Sequence, residues 1–194
     1  MSLTPESIHH RLDGTARAID ALRADADAIA AMIAALVARL RSGGTVYTCG
    51  NGGSAAEALH LAEEIIGNYR DRTRGTAPAI SLAADPTALT CIANDFGFDE
   101  VFARPCRALL SSSDVLVGLS TSGNSENVRR AFEAARERGA LTIGLLGRDG
   151  GACRTLCDHA IVVPVEDSAH IQEGHLVLVH LICEALEPTD QTER

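Results

Sequence analysis

"VLVGLSTSGNSENVRRA" runs from Val115 to Ala131. An apolar, β-prone run ends at Leu119. Six small or polar residues follow, Ser120 to Ser125, and then the pattern of an amphipathic helix. Strand, polar turn and helix in that order make a βα unit. Four more β-prone runs repeat the theme: "TVYTC" at 45–49, "PAISL" at 78–82, "LTIGLL" at 141–146 and "AIVVPV" at 160–165. Helix-like stretches separate them near 54–66, 87–93, 99–111, 125–138 and 151–157, and a last one spans about 170–187. The alternation predicts an α/β fold, a parallel five-stranded sheet with helices covering both faces. In such sheets ligands bind beyond the C-terminal ends of the strands. The ends worth reading are therefore "CGNGGSAAEALHLAEE", "STSGNSENV" and "GRDGG".

Ahead of the first strand, residues 5–41 read as helix. Ile19, Leu22, Ala26, Ile29, Ile33, Leu36, Val37 and Leu40 recur at spacings of three or four, and Gly43-Gly44 ends the pattern. Such a helix has two surfaces to pack on, its own core or a second copy of the chain, and the second is the expectation. The reading is one domain over 1–194. Residues 1–44 form a helical extension, 45–187 the α/β core and 188–194 a frayed tail.

The chain has 194 residues and a formal net charge of -9, which argues against a general nucleic-acid surface. It has no Trp and only 3% aromatic residues, so stacking platforms for bases are not expected. No apolar run approaches the ~20 residues of a membrane span. The N-terminus "MSLTPESIHHRLDG" lacks the apolar segment of a signal peptide. Six dispersed cysteines without a CxxC pair read as reduced, buried thiols of a cytosolic protein.

The loop 120–125 fits two roles equally well. Its hydroxyls can cap the following helix, or they can converge with backbone N–H groups on an anion, for which phosphate is the natural guest. It contains no Lys or Arg and is not a P-loop. "GNGGS" at 50–54 lets the backbone approach a ligand closely, but it is not a dinucleotide fingerprint. His60 and Glu64, at i and i+4, share a helix face. They suit a shared metal, an acid/base pair or a solvated surface, whereas Glu57 and Glu63 read as surface charges. In "HIQEGHLVLVH", His175 and His180 differ by about 500° of helix rotation and point different ways. Gln172 and His180 lie roughly 12 Å apart along an ideal helix. His180 sits in an apolar stripe, which suits a core histidine as well as a functional one. "AND" at 93–95 reads as a turn-like polar pair after a helix.

Together, "CGNGGSAAEALHLAEE", "CIANDFGFDEVFARP", "LSTSGNSENV" and "IQEGHLVLVH" resemble the phosphoheptose isomerase family of the sugar-isomerase (SIS) domain superfamily. The resemblance runs from about residue 45 to 187. It implies a flavodoxin-like three-layer αβα sandwich, and a homotetramer with active sites where subunits meet. It implies conversion of sedoheptulose 7-phosphate to D-glycero-D-manno-heptose 7-phosphate, on the way to bacterial surface glycans. Ser120, Thr121, Ser122 and Ser125 match the family's phosphate loop. Asn51, Gly52, Gly53, Asn94 and Asp95 match positions lining the sugar. Glu64 matches the catalytic carboxylate and His180 its acid/base partner. His60, Glu64, Gln172 and His180 match the ligands of one zinc per subunit. Two positions depart from the family pattern: Asn68, where relatives often carry Arg, and Ala169, where some carry Asp. Two other SIS functions share the serine loop. One is a non-catalytic regulator that binds a replication initiator, the other a different sugar-phosphate isomerase. Glu64 together with His180 favours an enzyme over the regulator, and "HLAEE" paired with "IQEGHLVLVH" favours heptose over the other isomerases.

Overall fold

In the computed structural model, residues 3–188 are described. Five strands form one parallel sheet in the order β2-β1-β3-β4-β5. They are β1 (Val46–Gly50), β2 (Ala79–Ser81), β3 (Val115–Ser120), β4 (Leu141–Gly147) and β5 (His159–Val163). All four pairings are parallel. β1 and β3 are wholly buried, as strands covered on both faces must be.

The helices are α1 (Pro5–Ala21), α2 (Ala26–Arg41), α3 (Gly53–Ile66), α4 (Pro86–Phe96), α5 (Ala103–Leu109), α6 (Glu126–Glu137) and α7 (Ser168–Leu186). Two apolar clusters divide them into layers. On one face of the sheet, Ala18, Met32 and Leu36 meet Leu61, Ile65 and Leu178 from α3 and α7. On the other, Val128 and Phe132 of α6 meet Cys106 and Leu110 at α5. This is the expected three-layer α/β sandwich. A stable core follows because α2, α3, α6 and α7 each bury an apolar stripe, whereas α4 buries no residue fully.

Four local readings need correction. The segment 5–41 is two helices joined by a 3-10 turn at Leu22–Asp25. Asp20, Asp25 and Asp27 crowd the junction, and aspartate favours caps over helix interiors. The break lets both halves pack on the chain's own core, burying Ala18, Leu22, Ile29, Met32 and Leu36. Ile8, Leu12 and Ile19 stay exposed. The stretch 99–111 starts its α-helix only at Ala103. That start keeps Pro105 within the first turn, where its missing N–H costs nothing. The stretch 151–157 keeps one 3-10 turn, Arg154–Leu156, because Gly150-Gly151 spends the preceding residues in a loop. Asn94 and Asp95 belong to the last turn of α4 rather than to a turn after it. The tail from residue 189 onward lies outside the described residues.

Candidate active site

The strand order places β2 and β3 on opposite sides of β1, so the chain reverses direction across the sheet at the β1/β3 boundary. Loops leaving neighbouring strands at such a point diverge and open a crevice. Here the loop 51–53 faces the serine loop and the start of α6, to which a reciprocal amide pair joins it. Asn51 Nδ2 donates to Asn127 Oδ1 at 2.8 Å, and Asn127 Nδ2 donates to Asn51 Oδ1 at 2.8 Å. Asn127 Oδ1 also accepts from Val128 N at 3.0 Å. Asn127 is buried. Sequence reading missed it, although an Asn in the first turn of an apolar-faced helix was the available signal.

The serine loop is not a simple side-chain cap. Ser125 occupies the N-cap position of α6, yet its side chain makes no capping bond. Its hydroxyl turns to Ser120 Oγ at 3.1 Å instead. An uncapped helix start is where an anion binds best. Gly123 adopts φ +64, and a Cβ there would fall 2.2 Å from the Gly150 carbonyl oxygen. Only glycine satisfies both demands. Cys153 N donates to Gly123 O at 2.9 Å, and Ala152 N to Asn124 Oδ1 at 2.9 Å. Ser122 Oγ accepts from Asn124 N at 3.1 Å. Ala152 and Cys153, just after the "GRDGG" loop that follows β4, thus pin the serine loop at Gly123 and Asn124. Glu126 stands in the same helix turn. The Arg129 and Arg130 guanidinium groups bond it and hold its carboxyl down to about 2, so its charge is locally compensated.

Across the crevice, Gly52 caps α3 and Gly53 begins it. Gly53 is bare because Gln172 of α7 packs there: a Cβ would lie 2.2 Å from Gln172 Nε2. From this point α3 and α7 run side by side in the same direction. Two turns on, His60 Nε2 donates to Glu64 Oε1 at 3.1 Å. His180 meets His60 edge to face, with ring centroids 5.6 Å apart. Tyr69 stacks on His180 at 5.6 Å, and Arg70 lies 4.7 Å over Tyr69 while pairing with Glu184. Arg70, two residues after Asn68, is therefore committed to this stack. Arg74 donates to the carbonyls of Glu64 and Ile65 at 2.8 and 3.0 Å, closing the last turn of α3 behind Glu64.

Ligand atoms of His60, Glu63 and Glu64 lie within 4.8 Å of one another, a spacing suited to one metal ion. Gln172 sits at the Gly53 end of the α3–α7 seam, away from this cluster. Asn94 and Asp95 stay exposed on α4. Asn94 Nδ2 donates to Asp95 Oδ1 at 2.7 Å, and no hydrogen bond ties either residue to the serine loop among the described residues. Glu57 is not the surface charge the sequence indicated. It faces the fully buried His175, while Glu63 is exposed as expected. His175 and His180 do point to different neighbours.

The fold and crevice define a class first. The SIS domain family model matches residues 12–147. A phosphoheptose isomerase of Pelobacter propionicus is 53% identical over 159 residues, 82% of this chain and 84% of that protein. One of Helicobacter pylori is 48% identical over 152 residues, 78% of this chain and 79% of that protein. The solved phosphoheptose isomerase of Neisseria gonorrhoeae superposes with a TM-score of 0.88 at 38% identity, covering 93% of this chain and 97% of that one. That of Francisella tularensis gives 0.89 at 33%, covering 95% and 98%. The chain belongs to the phosphoheptose isomerase family.

Proposed function

We propose that this protein isomerises sedoheptulose 7-phosphate to D-glycero-D-manno-heptose 7-phosphate, an early step towards activated heptoses of bacterial surface glycans. The observation that carries the reading is the pairing of an uncapped serine loop on one side of the crevice with the Glu64, His60 and His180 cluster on the α3–α7 seam that starts at its other side. The phosphate rests on Ser120, Thr121, Ser122 and Ser125. The sugar extends past Asn51, Gly52, Gly53 and Gln172. Binding at the phosphate fixes the reacting carbons without touching them.

Glu64 takes the proton from C1 of the ketose as the C2 carbonyl becomes an enediol oxygen. It returns the proton to C2 as the C1 carbonyl forms. His180 carries the proton between the two oxygens, so the aldose product has the same atoms as the ketose. Arg74 and the Tyr69 stack hold the two groups in register.

His60, Glu64 and His180 have the donor set of a zinc site, and the 4.8 Å grouping of His60, Glu63 and Glu64 has the spacing for an ion. A zinc bound there would polarise the substrate oxygens. Gln172 and His180 of one α7 are too far apart to share an ion. Gln172 therefore serves the sugar in its own crevice, and a further ligand from a second copy would complete the ion's set, in line with a homotetramer with shared sites. The apolar groove between α1–α2 and α7, lined by Ile19, Ile29, Ile33, Val177 and Leu181, offers a surface for that copy. Asn94 and Asp95, exposed on α4, would line the sugar of a neighbour's site in the same way.

Among the described residues no helix is long and apolar enough to cross a membrane. All six cysteines are free, in keeping with a cytoplasmic enzyme. Incubation with sedoheptulose 7-phosphate should yield the aldose, and Glu64→Gln should lower turnover at least 100-fold with the fold intact. Full activity in Glu64→Gln would sink the assignment. Metal analysis of protein purified without chelators tests the zinc.

A further inference from the structure

Halfway along the α3–α7 seam, two buried polar groups lack protein partners. His175 is wholly buried, and neither ring nitrogen makes a hydrogen bond. Glu57 Oε2 is buried and unbonded 3.9 Å from His175 Nδ1. A desolvated imidazole facing a desolvated carboxylate oxygen is costly unless something completes it. The other Glu57 oxygen is not among the buried unpartnered atoms, and the side chain keeps 13% of its surface. Glu57 thus has one oxygen inside, facing a histidine, and one outside.

Its position gives that outer oxygen a role. Glu57, His60 and Glu64 lie within about 60° of one another around α3. Gly53, beside the phosphate crevice, precedes His60 by seven residues, roughly 10 Å of helix. A seven-carbon chain, with carbon–carbon bonds of about 1.5 Å, spans a distance of that order. Glu57 lies between the two ends, on the path that the carbons between the phosphate and the reacting pair would take. A carboxylate accepts from two neighbouring hydroxyls at once.

We infer that Glu57 is a sugar-binding and specificity-determining residue of the isomerase. It accepts hydrogen bonds from the mid-chain hydroxyls, and His175 is the positioning residue that fixes its carboxylate from within. A small closure of the 3.9 Å gap on substrate binding makes the His175 Nδ1–H to Glu57 bond. His175 itself never touches substrate.

The inference rests on the isomerase reading, so the two are tested together but read apart. Steady-state kinetics on sedoheptulose 7-phosphate should show KM raised roughly 10-fold or more in Glu57→Gln, with a smaller change in kcat. Inhibition by inorganic phosphate, which uses the serine loop alone, should stay at its wild-type value. His175→Phe, which keeps the bulk and loses the nitrogens, should move KM in the same direction. The double variant should add little to Glu57→Gln, because both act through one carboxylate. A wild-type KM in folded Glu57→Gln overturns the inference. So does a phosphate inhibition weakened by the same factor, or full additivity of the two substitutions. If Glu57→Gln does not fold, Glu57→Asp provides the same reading, since it keeps the charge and withdraws the oxygen. Wild-type protein inert towards sedoheptulose 7-phosphate would instead remove the isomerase reading beneath it.

Discussion

Gly53→Ala separates the stability of this protein from its activity. The new Cβ would fall 2.2 Å from Gln172 Nε2 and 2.9 Å from its Cδ, so the two cannot coexist as they stand. The atoms it meets are the far end of a flexible side chain, and Gln172 can rotate away at about 0.5–1.5 kcal/mol. Alanine gains up to about 1 kcal/mol over glycine in a helix. The two contributions nearly cancel. At about 2–4 °C per kcal/mol for a chain of this size, the melting temperature should move by less than about 4 °C. Activity has no such compensation. The amide of Gln172 is displaced from the crevice, and a misplacement of about 1 Å in a positioning group can cost 10²-fold. We expect kcat/KM for sedoheptulose 7-phosphate to fall roughly 10- to 100-fold in a protein that melts like wild type. Calorimetry and steady-state kinetics on one preparation decide it. Kinetics within twofold of wild type would refute the placement of Gln172 in the site. A loss of more than about 3 kcal/mol would refute the view that Gln172 yields.

Gly123→Ala should behave in the opposite way, because its Cβ meets a backbone oxygen at 2.2 Å and its φ is +64. We expect a loss of about 1–3 kcal/mol in chemical denaturation together with weaker phosphate inhibition. Asn127→Ala removes both partners of the Asn51 amide and the acceptor of Val128 N, which should cost about 1–3 kcal/mol and raise KM. Burial pushes the Cys106 thiol up to about 12 and the Cys153 thiol to about 11, so neither forms appreciable thiolate at pH 8. A thiol reagent at that pH should label exposed Cys91 first in native protein, and all six cysteines in denaturant, by peptide mapping.

The sheet was legible because its strands are short apolar runs between polar punctuation. "VLVGLS" ends in the sequence where β3 ends in space, at Ser120. Helices were legible wherever a stripe repeats and a glycine stops it. What the pattern concealed was any feature that depends on a distant partner. The 3-10 turn at 22–25 exists because two helical halves must follow one core. Glu57 looks like any charge on a helix until His175, 118 positions later, is placed beneath it. Asn127 looks like a helix residue until Asn51 is seen across the crevice. The serine loop was recognised as a polar turn, but whether its last hydroxyl caps α6 was not legible. No spacing rule encodes that Ser125 turns to Ser120 instead of capping α6.

The reciprocal amide bond between Asn51 and Asn127 also governs how this protein ages. Asn51 is followed by Gly52, and an asparagine before glycine is the arrangement in which the next backbone nitrogen most readily attacks the side-chain amide and expels ammonia. The aspartate left behind would still accept from Asn127 Nδ2, but its other oxygen would face Asn127 Oδ1, acceptor against acceptor, and one of the two bonds between the loop and α6 would be lost. While the chain is folded, two 2.8 Å bonds hold the Asn51 amide away from that attack. Each local opening of the crevice exposes it. Conversion at Asn51, followed by peptide mapping of stored protein, should therefore keep time with opening of the crevice and slow when substrate holds it shut.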